Sequence, residues 1–304
     1  MEYCGLGNSG MQASRLVLGC MRMGDKSPEK VERLLETALE SGINMFDHAD
    51  IYGGGESERR FGEAFKKLRI SRDRVIIQSK CGIRPGMYDF SREHILLSVE
   101  NSLKRLGTDY LDILLLHRPD ALMDPEEVLL AFEELEKSGK VRHFGVSNFS
   151  ASQIQLLSGG RYSMIADQLQ FSLLHSGMID EGLNVNTAKY EAVERGGNVL
   201  DYCRLNKITV QAWSPLNYGM IEGIFVGSEK FPEVNRALNV LAEKYGCSAA
   251  AVAIAWILRH PAKMQTVVGT TEAVHLKELC KASEVKLTAE EWYELYRSTG
   301  KTLP

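Results

Sequence analysis

Eight short apolar runs, each followed by a stretch of helical character, recur along the 304 residues. The runs are RLVLGCMRMG, NMFDHAD, VIIQSK, DILLLH, VRHFGVSN, IADQLQF, ITVQAWSP and QTVVGT. Between the first two, PEKVERLLETALES puts Val31, Leu34, Leu35 and Leu39 on one helical face. SREHILLSVENSLKRLG reads as a helix opened by Ser91 and closed by Gly107. Further helices are expected over 57–68, 125–138 and 150–158, and within 190–206 and 233–259. No linker rich in Pro, Gly or Ser interrupts the series. The pattern predicts one α/β domain over residues 1–304: a (β/α)8 TIM barrel with an N-terminal β-hairpin and C-terminal helices. An open doubly wound sheet is the competing arrangement, but it usually has fewer strands and a phosphate loop after the first. The polar stretches 172–190 and 217–232 follow strands six and seven, where barrel insertions shape substrate pockets.

Composition narrows the partners. A net charge of −4 with 25% charged and 44% hydrophobic residues carries no basic bias toward nucleic acid. The N-terminus lacks a cationic and then apolar leader, and no apolar run reaches the roughly 18 residues that a membrane helix needs. The expectation is a cytoplasmic protein acting on a small molecule, with no heptad or apolar seam to specify an oligomeric state. The six cysteines are scattered without a C-x-x-C pair, which reads as reduced thiols; Cys81, beside Lys80, is a candidate neighbour of a site.

Four residues carry the chemistry. Asp47, Tyr52, Lys80 and His117 fall at or just beyond the ends of strands two, three and four, the barrel end where catalytic groups gather. Tyr52 precedes Gly53, Gly54 and Gly55, so its ring is expected at a flexible rim with a free hydroxyl. A phenol with a pKa near ~10 serves acid–base chemistry at neutral pH only if a cation lowers that value, and Lys80 could supply the cation. Asp47 would keep the lysine charged in a low-dielectric pocket. Taken singly, Lys80 could instead snorkel to solvent, and His117 could be structural. Together the four suggest proton donation to a substrate carbonyl.

The segments FDHADIYGGGESE, IIQSKCG, DILLLHRPD, GVSNFS, DQLQFSLL, AWSPL and VVGTT, in this order, resemble the aldo-keto reductases over nearly the whole chain. The resemblance implies a barrel that binds a nicotinamide cofactor without a Rossmann fold and reduces an aldehyde or ketone to an alcohol. Tyr52 would be the general acid, Lys80 and Asp47 its tuning pair, and His117 the group that orients the carbonyl. Ser147, Asn148 and Gln168 would hold the carboxamide and Trp213 would stack on the nicotinamide, although a core role for Trp213 stays open. Met21 would lie beside the ribose, Ser214 and Leu216 along the pyrophosphate, and Gly269, Thr270 and Thr271 at phosphate oxygens. The family often has a cation near the 2′-phosphate of NADP. Here Glu272 occupies that loop and His275 stands where an arginine is common, so NADP is expected from the family while NAD is also open.

Several features have weaker chemical readings. Gly5, Gly7 and Gly10 spell G-x-G-x-x-G, but strand follows rather than helix, and a hairpin turn fits better. Asp47, His48 and Asp50 resemble a metal cluster, yet adjacent strand residues point to opposite faces, so no metal site is expected. Asn148-Phe149-Ser150 is a glycosylation sequon, irrelevant to a cytoplasmic asparagine at a site. Two other functions remain: a Schiff-base aldolase using Lys80, and a nucleotide-sensing subunit on the same fold.

Overall fold

The computed structural model describes residues 1–303. The barrel strands are β1 (Leu16–Gly19), β2 (Met45–Asp47), β3 (Ile76–Cys81), β4 (Leu111–Leu116), β5 (Val141–Ser147), β6 (Ala166–Gln170), β7 (Thr209–Trp213) and β8 (Gln265–Val268). They pair in parallel in chain order and close where Thr266, Val267 and Val268 register with Leu16, Val17 and Leu18. The helices are α1 (Pro28–Glu40), α2 (Glu56–Lys67), α3 (Arg92–Leu106), α4 (Pro125–Lys137), α5 (Ala151–Ser158), α6 (Gly177–Leu183), α7 (Val199–Leu205), α8 (Pro232–Tyr245), α9 (Ala249–Arg259), α10 (Ala273–Cys280) and α11 (Ala289–Ser298). The expected (β/α)8 barrel is therefore the observed architecture.

Local chemistry sets the ends of these elements. Ser27 caps α1 ahead of Pro28, and Val31, Leu34, Leu35 and Ala38 form its buried stripe. Ser91 caps α3, which ends as read at Gly107, where a φ of 66° lets the amide close onto Leu103. The N-terminal hairpin pairs Tyr3–Gly5 with Gln12–Ser14 and carries buried Leu6 into an apolar cluster with Val17, Met45, Ile76, Ile113, Leu115, Ile165 and Val267. The glycine triplet belongs to this plug. The Gly7 amide donates to Thr209 Oγ1 at 2.8 Å, and a Cβ there would lie 2.7 Å from the Ile165 carbonyl oxygen.

Three details depart from the sequence reading. The stretch 172–190 contains α6, and 217–232 holds a small hairpin, Asn217–Tyr218 with Gly223–Ile224. A second hairpin, Ile83–Arg84 with Met87–Tyr88, follows β3; Pro85-Gly86 supplied its turn signal. Among the described residues no single helix is long and apolar enough to cross a membrane; α8 and α9 pass only as a pair bent by 91°.

Period-two alternation assigns each strand two destinies. Outward residues such as Phe46, Ile77, Leu114 and Phe144 join the large core beneath the helices. Inward residues change character with height, from the apolar plug, through Gln78, Gln211 and Gln265 linked side chain to side chain at 2.9–3.2 Å, to the polar groups of the upper rim.

Candidate active site

Asp47 closes β2 and Lys80 is the last inward residue of β3, so register alone brings them to neighbouring positions at the C-terminal rim. Lys80 Nζ donates to both Asp47 carboxylate oxygens at 2.8 Å and to the His48 carbonyl at 2.9 Å. Its remaining neighbour is the Tyr52 hydroxyl, 3.2 Å away. The lysine is 1% exposed, so it does not snorkel. Burial pulls its pKa down, but Asp47 and then Tyr52 outweigh that, leaving a net upward shift and a charged ammonium. The carboxylate is held from the other side as well, since Asp47 Oδ1 accepts from Gln78 Nε2 at 2.6 Å and Gln168 Nε2 at 2.9 Å.

Tyr52 differs from the sequence expectation in two ways. Its hydroxyl is engaged by Lys80, and its ring lies 5.1 Å from that ammonium and edge-on to His117 at 5.9 Å. Gly53, Gly54 and Gly55 do form the turn, all with positive φ, but it is wedged: a Cβ on Gly55 would lie 2.7 Å from Arg105 Cδ. The second correction is electrostatic. Burial raises the phenol above its ordinary value and Lys80 only opposes that rise. Tyr52 is a protonated phenol beside a cation, and the cation's favourable interaction is greatest once the phenol has lost its proton.

His117 follows β4, its amide fixed to the Cys81 carbonyl at 2.9 Å. Burial, then Lys80 and Arg118, bring its pKa down to about 2, so the imidazole is neutral at physiological pH. Behind β3, Ser79 donates to Glu58 at 2.6 Å while Arg105 holds the other Glu58 oxygen at 2.7 Å, tying α2 and α3 to the strand that carries Lys80. Cys81 belongs to this outward side: it is buried in the core, its thiol pushed well up by burial, and does not line the cleft. The three residues that resembled a metal cluster diverge. Asp47 turns inward to Lys80, His48 packs edge-on against Phe61 at 4.5 Å, and Asp50 lies near Glu58, where burial lifts its carboxyl to about 6.

A cleft of 670 Å³ opens above these groups. Every one of Met21, Ser147, Asn148, Gln168, Trp213, Ser214, Leu216, Gly269, Thr270, Thr271 and His275 lines it, together with Asp47, Tyr52 and His117. Asn148 adopts φ 64° and accepts from Trp213 Nε1 at 3.1 Å, which fixes the indole as a wall. Its Nδ2 donates to Ser147 Oγ at 2.8 Å, and Ser147 Oγ donates to the Gln168 carbonyl at 2.8 Å. The Gln168 amide nitrogen is used inside the barrel on Asp47 and Gln211.

At the far end, Gly269–Glu272 lead into α10. Glu272, which the sequence places in this loop, has a counter-charge: Lys30 of α1 pairs with it and holds it below the usual carboxylate range. Arg22 donates to the Gly269 carbonyl and also lines the cleft. Sequence reasoning missed Lys30, which comes from a helix 242 residues away, and Arg22 and Arg118, although each directly adjoins a residue that it singled out.

Comparison with known proteins adds three findings. The model described as the Aldo/keto reductase family matches residues 15–298. The chain is 36% identical over 301 residues to a 6-dehydroglucose reductase of Agrobacterium fabrum, covering 94% of each, and 35% identical to oxidoreductase YdhF of Escherichia coli, covering 95% of this chain and 94% of the relative. The crystal structure of a thermostable aldo-keto reductase, Tm1743, in complex with the inhibitor epalrestat is similar with a TM-score of 0.79 and 31% identity, covering 98% of this chain and 100% of that one.

Proposed function

This chain belongs to the aldo/keto reductase family, and on that premise we propose that it reduces the carbonyl of a small molecule to an alcohol, with Tyr52 as proton donor and NADP as the favoured nicotinamide cofactor. The observation that carries this reading is Lys80 Nζ lying between Asp47 at 2.8 Å and the Tyr52 hydroxyl at 3.2 Å, below an open cleft.

The cleft suits an extended dinucleotide. It runs from the polar quartet past Trp213 to the loop before α10. Ser147, Asn148, Gln168 and Trp213 would hold the nicotinamide, Met21 the ribose, Ser214 and Leu216 the pyrophosphate, and Gly269, Thr270, Thr271 and His275 the adenosine end. Unpaired amides at the start of α10 favour phosphate there, and the Arg22 cation, with Glu272 neutralised by Lys30, favours the NADP form over NAD. When bound, the reduced cofactor supplies the hydride for the carbonyl carbon.

The protein residues supply the rest. Negative charge grows on the carbonyl oxygen as the carbon is reduced, and the Tyr52 O–H is a preplaced donor for it. Lys80 stabilises the phenolate left behind, which is where a buried cation contributes most. Neutral His117 offers one N–H that can orient the oxygen without competing as an acid. Asp47 keeps Lys80 protonated, and a protonated amine is no nucleophile, which weighs against the Schiff-base reading. A cytoplasmic location belongs to the same proposal and draws support from six free cysteines, four of them buried.

The test is a titration with NADPH and NADH followed by a carbonyl panel. NADPH binding with cofactor oxidation that depends on an aldehyde or ketone is expected. Nucleotide binding without turnover across the panel would favour a sensor, and borohydride trapping of Lys80 with a carbonyl compound would favour an aldolase.

A further inference from the structure

The charges lining the cleft are unevenly matched. Its two carboxylates, Asp47 and Glu272, are each paired with a lysine, Lys80 and Lys30. Of its two arginines, Arg22 donates to the Gly269 carbonyl at the adenosine end. Arg118, directly after His117, makes no side-chain hydrogen bond or ion pair among the described residues; its guanidinium instead lies 5.7 Å from the centre of the Trp213 ring. It is half-buried, and it is one of the charges that depress His117, so its field reaches the reacting end. The cleft walls also include Ile51, Ile83, Ile221 and Ile224, with Asn217 as a neutral polar group.

A guanidinium held over an aromatic face in a cleft with apolar walls, with five N–H donors unspent, lacks its electrostatic complement. Resting on the reductase reading above, we propose that Arg118 is a specificity-determining residue that binds the carboxylate of an anionic carbonyl substrate, such as an oxo-acid or a carboxylated aldehyde. A carboxylate fits the charge balance: one unpaired cation matches one negative charge and the planar fork matches its two oxygens. A phosphate dianion would keep a surplus charge here, and a neutral aldehyde would leave the guanidinium unmatched.

The experiment compares kcat/KM for two matched pairs with NADPH: 4-carboxybenzaldehyde against 4-methylbenzaldehyde, and succinic semialdehyde against butanal. The carboxylate member of at least one pair is expected to be favoured by roughly 10- to 100-fold, the range of a hydrogen bond to a charged group. Arg118→Gln should collapse that ratio toward unity, and Arg118→Lys should keep part of it. Calorimetry on the NADP-loaded protein adds an independent readout, with benzoate binding weakened by a similar factor in Arg118→Gln. Equal kcat/KM within both pairs, or a ratio that survives Arg118→Gln, would overturn the inference while leaving carbonyl reduction intact. A higher kcat/KM for glyceraldehyde 3-phosphate than for either carboxylate would also overturn it. Benzoate binding that depends on Arg118 in a protein that turns over no carbonyl would support the anion subsite and defeat the reductase reading instead.

Discussion

The two ends of the cleft are built on opposite principles. At the proposed reacting end, Lys80 and Asp47 are 1% and 2% exposed, and each is fixed by several partners. At the proposed adenosine end the Lys30–Glu272 pair is exposed and joins two helices. Breaking a buried ion pair strands a charge that costs several kcal/mol, whereas an exposed pair contributes about 0–1 kcal/mol. Substitutions at the first end should therefore change what the protein can do, and those at the second should tune which nucleotide it prefers.

The largest effect is expected from Tyr52→Phe, which removes the proposed proton donor but leaves Lys80 paired with Asp47. Carbonyl reduction should fall by about 10²–10⁴-fold, the usual contribution of general acid catalysis, with NADPH affinity essentially unchanged. Single-turnover reduction beside a nucleotide titration separates the two. Near-normal turnover would show that the proton comes from elsewhere and that the rigid end is only a scaffold.

A smaller effect tests what that rigidity costs. His48 is fully buried beside the quartet, both ring nitrogens lack partners, and burial and then Lys80 bring its pKa down to about 3. The unfolded histidine, near ~6.5, binds a proton first, so stability is fully present above that value and is lost as pH falls toward 3. His117, at about 2, acts in the same direction. Asp50 acts oppositely: its carboxyl is raised to about 6, so its contribution is present in acid and lost as pH rises through 6. Between pH 6 and 4 two histidines oppose one aspartate, a net slope of about 1.4 kcal/mol per pH unit from these groups. His48→Leu should remove about one proton from that slope, measured as urea-unfolding free energy against pH. An unchanged slope would mean that His48 is not held neutral in the folded protein.

The sequence disclosed the rigid end more fully than the open one, for a physical reason. Strands buried on both faces read as apolar runs, so a Lys, Asp or His at their ends stands out, and parallel registry then makes neighbours of Asp47 and Lys80. The glutamine ladder did not stand out, because Gln78, Gln211 and Gln265 look like interruptions of an apolar pattern until closure turns them toward one another. The pKa of Tyr52 was misjudged because its cation was evident in the sequence and the depth of its burial was not. Lys30 was hidden because a helical lysine reads as solvated surface, and only the α1–α10 packing brings it to Glu272. Arg118 was passed over beside a more conspicuous histidine, since the absence of a partner can be seen only in three dimensions.

The smallest effect belongs to the open end. His275 lines the cleft from α10, close enough to Glu272 to contribute to its field, and is exposed. An arginine there would add a permanent cation beside Arg22 and Lys30, where the 2′-phosphate of NADP is proposed to lie. Because that charge would stand in solvent, His275→Arg should tighten NADPH by no more than about fivefold, the ceiling set by exposed ion pairs, and NADH by less. The gain should shrink as salt is raised and the Debye length contracts. Intrinsic-fluorescence titrations with both nucleotides at two ionic strengths provide the measurement. Equal tightening of NADPH and NADH would place the extra cation near the shared pyrophosphate and not near the 2′ position, and cofactor choice would then rest on Lys30 and Glu272.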